Sequence, residues 1–282
     1  MERVRVERLD EVVLGSLICE VNALKPGNVS QYALGHDMVP DDFILSARLT
    51  TPILCNPALT TGQRILESVK ITRAAVGCNT NLGMLLLYAP LIRAAEMGQD
   101  SVEQLRTNLD TVISQMVNEE VSYIYQAILL ANPGGLGHSD HFDVRSQAPE
   151  SILLAMEAAR YQDNIALQYS NGYQEIFMQG FPLIKDYNRR WNSVEWAAVV
   201  CYLWYLSHFC DSHIRRKFGK EIAEEIKIKA EHVYKKFKNY KNPRDGTGLL
   251  MAFDKELKLT NINPGTSADL TAATILVFMM LG

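Results

Sequence analysis

Apolar positions recur along this chain at helical spacing. Leu9, Val13, Leu17, Val21 and Leu24 follow steps of four and three on one face, and Pro26-Gly27 ends the run. Ile222, Ile226, Ala230, Val233 and Phe237 repeat the pattern near the C-terminus, with Glu225/Lys229 and Glu231/Lys235 spaced for ion pairs on the wet side. Thr60-Thr61-Gly62-Gln63 and Ser101-Val102-Glu103-Gln104 fit N-terminal capping boxes. Sustained two-residue alternation is absent, and Asp245-Gly246 follows a charged helix rather than sitting between β-branched runs. The pattern predicts helices near 6–24, 41–54, 62–76, 81–97, 101–114, 117–131, 150–162, 164–178, 191–210, 219–239 and 267–281. Breaks are expected at Pro26-Gly27, Pro133-Gly134-Gly135, Pro182 and Pro264-Gly265. The expected fold is all-α, a multi-helix bundle, and without a low-complexity linker or internal repeat residues 1–282 read as one domain.

Leu82–Ile92, Ala197–Leu206 and Leu270–Leu281 are strongly apolar, yet each is shorter than the roughly 18–20 residues that span a bilayer, so they read as buried helices. Apolar content of 48% with 21% charged residues is that of a globular enzyme. A formal charge of −4 gives no pull toward nucleic acid or an anionic membrane. Five scattered cysteines without a C-x-x-C pair favour reduced thiols over a disulfide framework or zinc site. The start MERVRVERLDEVV lacks a signal-peptide pattern, and a cytoplasmic location is expected.

Candidate chemistry gathers at the helix ends. Glu20 falls three residues after Leu17, on the buried stripe of the first helix; a carboxylate there must be paired, bind metal or shift its pKa upward. A structural salt bridge with Lys25 is the plain alternative. The loop that follows carries Gly27 and then His36-Asp37, a pair suited to a base or a metal. Gly77-Cys78-Asn79-Thr80-Asn81-Leu82-Gly83 opens a helix whose free N–H groups suit phosphate, with Arg73 one turn earlier; ordinary capping by Asn79 or Thr80 also explains it. Gly134 and Gly135 permit close approach of the protein backbone to a ligand, and His138-Ser139-Asp140-His141-Phe142-Asp143 lacks the spacing of a zinc motif. Asp163 fits a helix cap. From 211 to 245 there are eleven Lys/Arg against six Asp/Glu, mostly a solvated face; Asp211, His213 and Arg216, at its buried end, are better candidates than the lysines. Gly265, Thr266 and Asp269 read either as a capping-box-like start or as a second phosphate cradle beside a divalent ion. If the bundle brings these ends together, the pocket suits a polyphosphate with Mg²⁺.

In order along the chain, Glu20, Lys25-Pro26-Gly27, Gly35-His36-Asp37-Met38, Asn79-Thr80, Pro133-Gly134-Gly135-Leu136-Gly137, Asp211 and Pro264-Gly265 through Ala268-Asp269-Leu270 resemble the triphosphoribosyl-dephospho-CoA synthase family over nearly the whole length. The resemblance implies an all-α enzyme in which the 2′-hydroxyl of dephospho-CoA displaces adenine from ATP. On this reading Glu20 or Asp37 is base or metal ligand. Lys25, Arg73 and Arg216 neutralise phosphates, with Gly27, His36, Asn79, Thr80, Gly134, Gly135, Gly265 and Thr266 lining the substrate, and Asp211 and Asp269 hold Mg²⁺. The family's better-known members carry His-Lys-Gly after Asn-Thr. Here Asn81-Leu82-Gly83 stands in that place, as in an archaeal and methylotroph-type branch. That leaves open an ATP-dependent step in another cofactor pathway, such as that of a methanopterin-type one-carbon carrier, or a non-catalytic nucleotide-binding protein. Small-molecule nucleotides are the expected partners, and the apolar segments are compatible with a homodimer.

Overall fold

In the computed structural model, which describes residues 9–30, 39–78, 80–139 and 141–282, the stripe Leu9, Val13, Leu17, Val21 and Leu24 is buried as its spacing requires. The described residues form α1 (Leu9–Asn22), α2 (Pro40–Leu54), α3 (Thr61–Val76), α4 (Leu82–Glu96), α5 (Val102–Gln115), α6 (Glu119–Ala131) and α7 (Ile152–Ala159). They continue as α8 (Asn164–Ser170), α9 (Phe181–Trp191), α10 (Val194–His208), α11 (Ser212–Phe218), α12 (Lys220–Phe237), α13 (Thr247–Leu259) and α14 (Gly265–Leu281). No strand occurs among them; Val117 and Ser151 make a lone antiparallel bridge. The fold is all-α.

The three apolar segments are α4, α10 and α14, and they lie inside. Each is apolar around its circumference, so burial on every side is the only arrangement that removes its side chains from water. Helix α14 packs against α1, α4, α9 and α10. One continuous apolar core joins the helices. No helix among the described residues is long and apolar enough to cross a membrane.

Tyr88 of α4 fixes the centre. Its hydroxyl donates to the Ala272 carbonyl of α14 at 3.0 Å and shares a 3.0 Å hydrogen bond with Ser16 of α1. A buried phenol needs such partners, and these tie three helices at one level. The last turn of α1 and the first turns of α4 and α14 lie at the same end of the bundle.

Local signals hold at several boundaries. Thr60 Oγ1 accepts from the Gln63 amide and Gln63 Oε1 from the Thr60 amide. Ser101 caps α5 through the Gln104 amide, but the expected box is only half formed because the Gln104 side chain turns to Asn108. The Glu225/Lys229 and Glu231/Lys235 ion pairs form. All five cysteines are free.

Four expectations need correction. Pro182 does not break the chain: it sits in the first turn of α9, where its missing N–H costs nothing, after a π-helical turn over Ile176–Gly180. The helix expected over 164–178 ends at Ser170, where Gly172 and Tyr173 take positive φ. The one expected over 150–162 stops at Ala159. Helix α13 was not expected; Leu250, Phe253 and Leu257 form its buried stripe, entered from a 3₁₀ turn at Pro243–Gly246.

Candidate functional site

Glu20 is in the last turn of α1, where helix periodicity points it inward, and it is almost fully buried. Lys25, equally buried, meets its Oε1 at 3.0 Å and donates to its carbonyl oxygen at 2.5 Å. The ion pair is thus real, but Glu20 also faces a cavity of about 710 Å³ at this end of the bundle. Lys25 lies behind it, outside the lining; the structure makes it the counter-ion of Glu20 rather than the phosphate contact expected from sequence. Such a pair survives burial only because both members are matched and hydrogen-bonded.

Asp269 faces the same cavity from the first turn of α14. Its carboxylate presses on Gly83 at the start of α4, where a Cβ would overlap it. Burial, first, and then the negative charges of Glu20 and Asp211 hold the Asp269 carboxyl well above the usual aspartate range. No hydrogen-bond donor among the described residues satisfies it. Helix α14 starts at Gly265, so Thr266 and Asp269 do not form the expected capping box; Thr266 Oγ1 instead accepts from the His213 amide at 3.2 Å. His213 in turn packs its ring on Gly265, where a Cβ would come within 2.5 Å of Nδ1.

Asp211 is beneath the site, not in it. One carboxylate oxygen caps α11 through the amides of His213 (2.9 Å) and Ile214 (3.1 Å). The other accepts from the Ser267 amide at 2.7 Å and its hydroxyl at 2.8 Å. With both oxygens occupied and no exposure, Asp211 is not placed to ligate a metal: it clamps α11 to the start of α14. Burial raises its pKa against these hydrogen bonds.

Cations stand around the turn after α6. Arg73 donates to the Leu130 carbonyl at 2.7 Å and lines the cavity. Arg216 also lines it, held by Asp163 at 2.5 Å, while the other oxygen of Asp163 caps α8 through the Ile165 and Ala166 amides. Lys217, which sequence did not single out, reaches the lining across Gly134. The two glycines serve this docking: a Cβ at Gly134 would lie 2.6 Å from Lys217 Cε, and one at Gly135 would lie 2.8 Å from the Arg216 carbonyl oxygen. Gly135 also has φ +77°. The close approach they permit is to α11.

Thr80 lines the cavity and shares a 2.8 Å hydrogen bond with Ser46. Gly265 and Thr266 line it too. Gly27 does not; its φ of +79° and the contacts a Cβ would make with Leu257 and Pro264 mark a packing glycine. His36, Asp37 and Asn79 lie outside the described residues. Asp143 accepts from the Arg145 and Ser139 amides, which lower its pKa, and Asp140 lies outside the described residues. Among the described residues no three His, Cys, Asp or Glu side chains are grouped to hold a metal.

The lining also has a large apolar part that includes Ile128, Phe142, Val144, Ile152 and Met156. An ionic floor, a cationic mouth and an apolar wall in one cavity suit an anionic ligand with a flat or aliphatic part. No curated protein and no solved structure matches the chain significantly. A family model described as ATP:dephospho-CoA triphosphoribosyl transferase matches residues 6–281. With nearly its whole length matched, the chain belongs to the ATP:dephospho-CoA triphosphoribosyl transferase family, and it is an enzyme of that type.

Proposed function

We propose that the cavity holds ATP and dephospho-CoA together and transfers the triphosphoribosyl group with release of adenine. The acceptor's 2′-oxygen bonds to C1′ of the ATP ribose as the C1′–N9 bond breaks. The electron pair leaves with adenine, and the proton lost by the hydroxyl balances the one adenine takes up. The observation that carries this reading is the meeting of Glu20 and Asp269 on the floor of a cavity whose mouth bears Arg73, Arg216 and Lys217.

Loss of adenine builds positive charge on the ribose, and buried carboxylates stabilise it far better than water would. Glu20, held by Lys25, is placed to do so or to accept the hydroxyl proton. The cations at the mouth balance the phosphates. Asp269 fits the usual protein share of a Mg²⁺ site, one or two carboxylates beside substrate phosphates, because it is half-buried, faces the cavity and lacks a hydrogen-bond partner among the described residues. Mg²⁺ bound there would supply phosphate charge neutralisation. Asp37 and His36 remain candidates by resemblance. The continuous core supports reading residues 1–282 as one domain.

Chromatography of a reaction containing ATP, Mg²⁺ and dephospho-CoA tests the reading. Free adenine supports it; ADP or AMP in its place would favour phosphoryl transfer or ligation in another cofactor pathway.

A further inference from the structure

Three consecutive cations end α11, and two have visible tasks. Arg215 donates to the Tyr161 carbonyl at 2.8 Å and Arg216 pairs with Asp163, so both hold the linker between α7 and α8. Lys217 does neither. It is exposed, lines the cavity and has no ion pair or hydrogen bond with any described residue. A lysine in the last turn of a helix is ordinarily explained by the helix dipole. That effect does not require the side chain to lie across Gly134, where even a methyl group would collide with its Cε. Of the cations lining the cavity, Arg73 is engaged by a carbonyl and Arg216 by a carboxylate, which leaves the ammonium of Lys217 as the uncommitted one.

We infer that Lys217 is the residue that recognises the triphosphate of the donor nucleotide, with Gly134 keeping its path across the mouth open. The inference rests on the proposed function and deepens it. Glu20 is almost fully buried in the same cavity and Lys217 is exposed, so a donor that enters ribose first reaches toward Glu20 while its phosphates stay within reach of the Lys217 ammonium. A flexible ammonium with three donors follows a phosphate chain without demanding one bidentate geometry.

Calorimetric titration of the full chain with ATP, inorganic tripolyphosphate and dephospho-CoA tests it, beside an adenine-release assay. Lys217→Ala is expected to weaken ATP and tripolyphosphate binding by about 10- to 100-fold, with dephospho-CoA much less affected and the melting temperature unchanged. Lys217→Arg should restore most of the loss, and Gly134→Ala should weaken tripolyphosphate in the same direction by displacing the lysine stem. If Lys217→Ala moves no affinity, or moves dephospho-CoA as much as ATP, the assignment is wrong. Wild-type protein that binds neither ATP nor tripolyphosphate overturns both this inference and the proposed function. If Lys217→Ala weakens tripolyphosphate binding but wild-type protein releases no adenine, Lys217 stands and triphosphoribosyl transfer falls.

Discussion

The carboxylate of Asp269 lies against the Cα of Gly83, joining the first turn of α14 to the first turn of α4 with no room for a side chain between them. Gly83→Ala therefore displaces Asp269 while adding little to the core. Turnover should fall by about 10-fold or more, with stability changed by no more than the ~1–3 kcal/mol typical of overpacking. Steady-state assays paired with urea denaturation would read this; full activity would mean that the Asp269 position is not critical.

Glu20 and Lys25 should separate stability from activity. Lys25→Met leaves a buried carboxylate unpaired and should cost about 3–5 kcal/mol, whereas joining it to Glu20→Gln should recover much of that loss. The double variant is nonetheless expected to remain inactive, because the cavity has lost its Glu20 charge. Recovery of both properties together would reduce the pair to scaffolding.

Asp269 also predicts a pH signature. Its folded-state pKa is raised above the ordinary 3.8, so the stability linked to this group is full below that value and is lost as pH rises through the folded pKa. Asp269→Asn removes the penalty. The variant should melt at the same temperature as wild type near pH 4 and at a higher temperature at pH 7–8, while losing activity, the usual exchange of stability for function at a site. Melting curves that shift equally at both pH values would contradict this.

Asp211→Asn distinguishes a clamp from a metal ligand. It weakens four hydrogen bonds at the junction of α11 and α14 and should lower stability by about 1–3 kcal/mol. The Mg²⁺ concentration giving half-maximal activity should stay unchanged. A large increase would restore Asp211 to the metal site.

Much of this was legible in sequence because it is local. The buried stripe of α1 fixes the direction of Glu20, and uniformly apolar α4 and α14 can only be interior, although that their N-termini lie beside Glu20 is a matter of helix direction that periodicity does not give. What sequence could not supply was which side of a buried carboxylate its partners occupy. Asp211 and Asp269 are both acidic residues at helix starts, yet one meets four donors and the other faces a cavity. Lys217 was hidden in a basic run whose members differ only in what lies opposite them. Helix α13 was missed for a related reason: its stripe of Leu250, Phe253 and Leu257 is short and lies between charged residues.

The most direct test of the account is the mass of the acceptor-derived product when wild-type protein acts on ATP and dephospho-CoA. Attack at the ribose predicts a product carrying all three phosphates of ATP together with its ribose, formed one-for-one with free adenine and lost in Glu20→Gln. A product enlarged by phosphate or by an intact adenylyl group would contradict it.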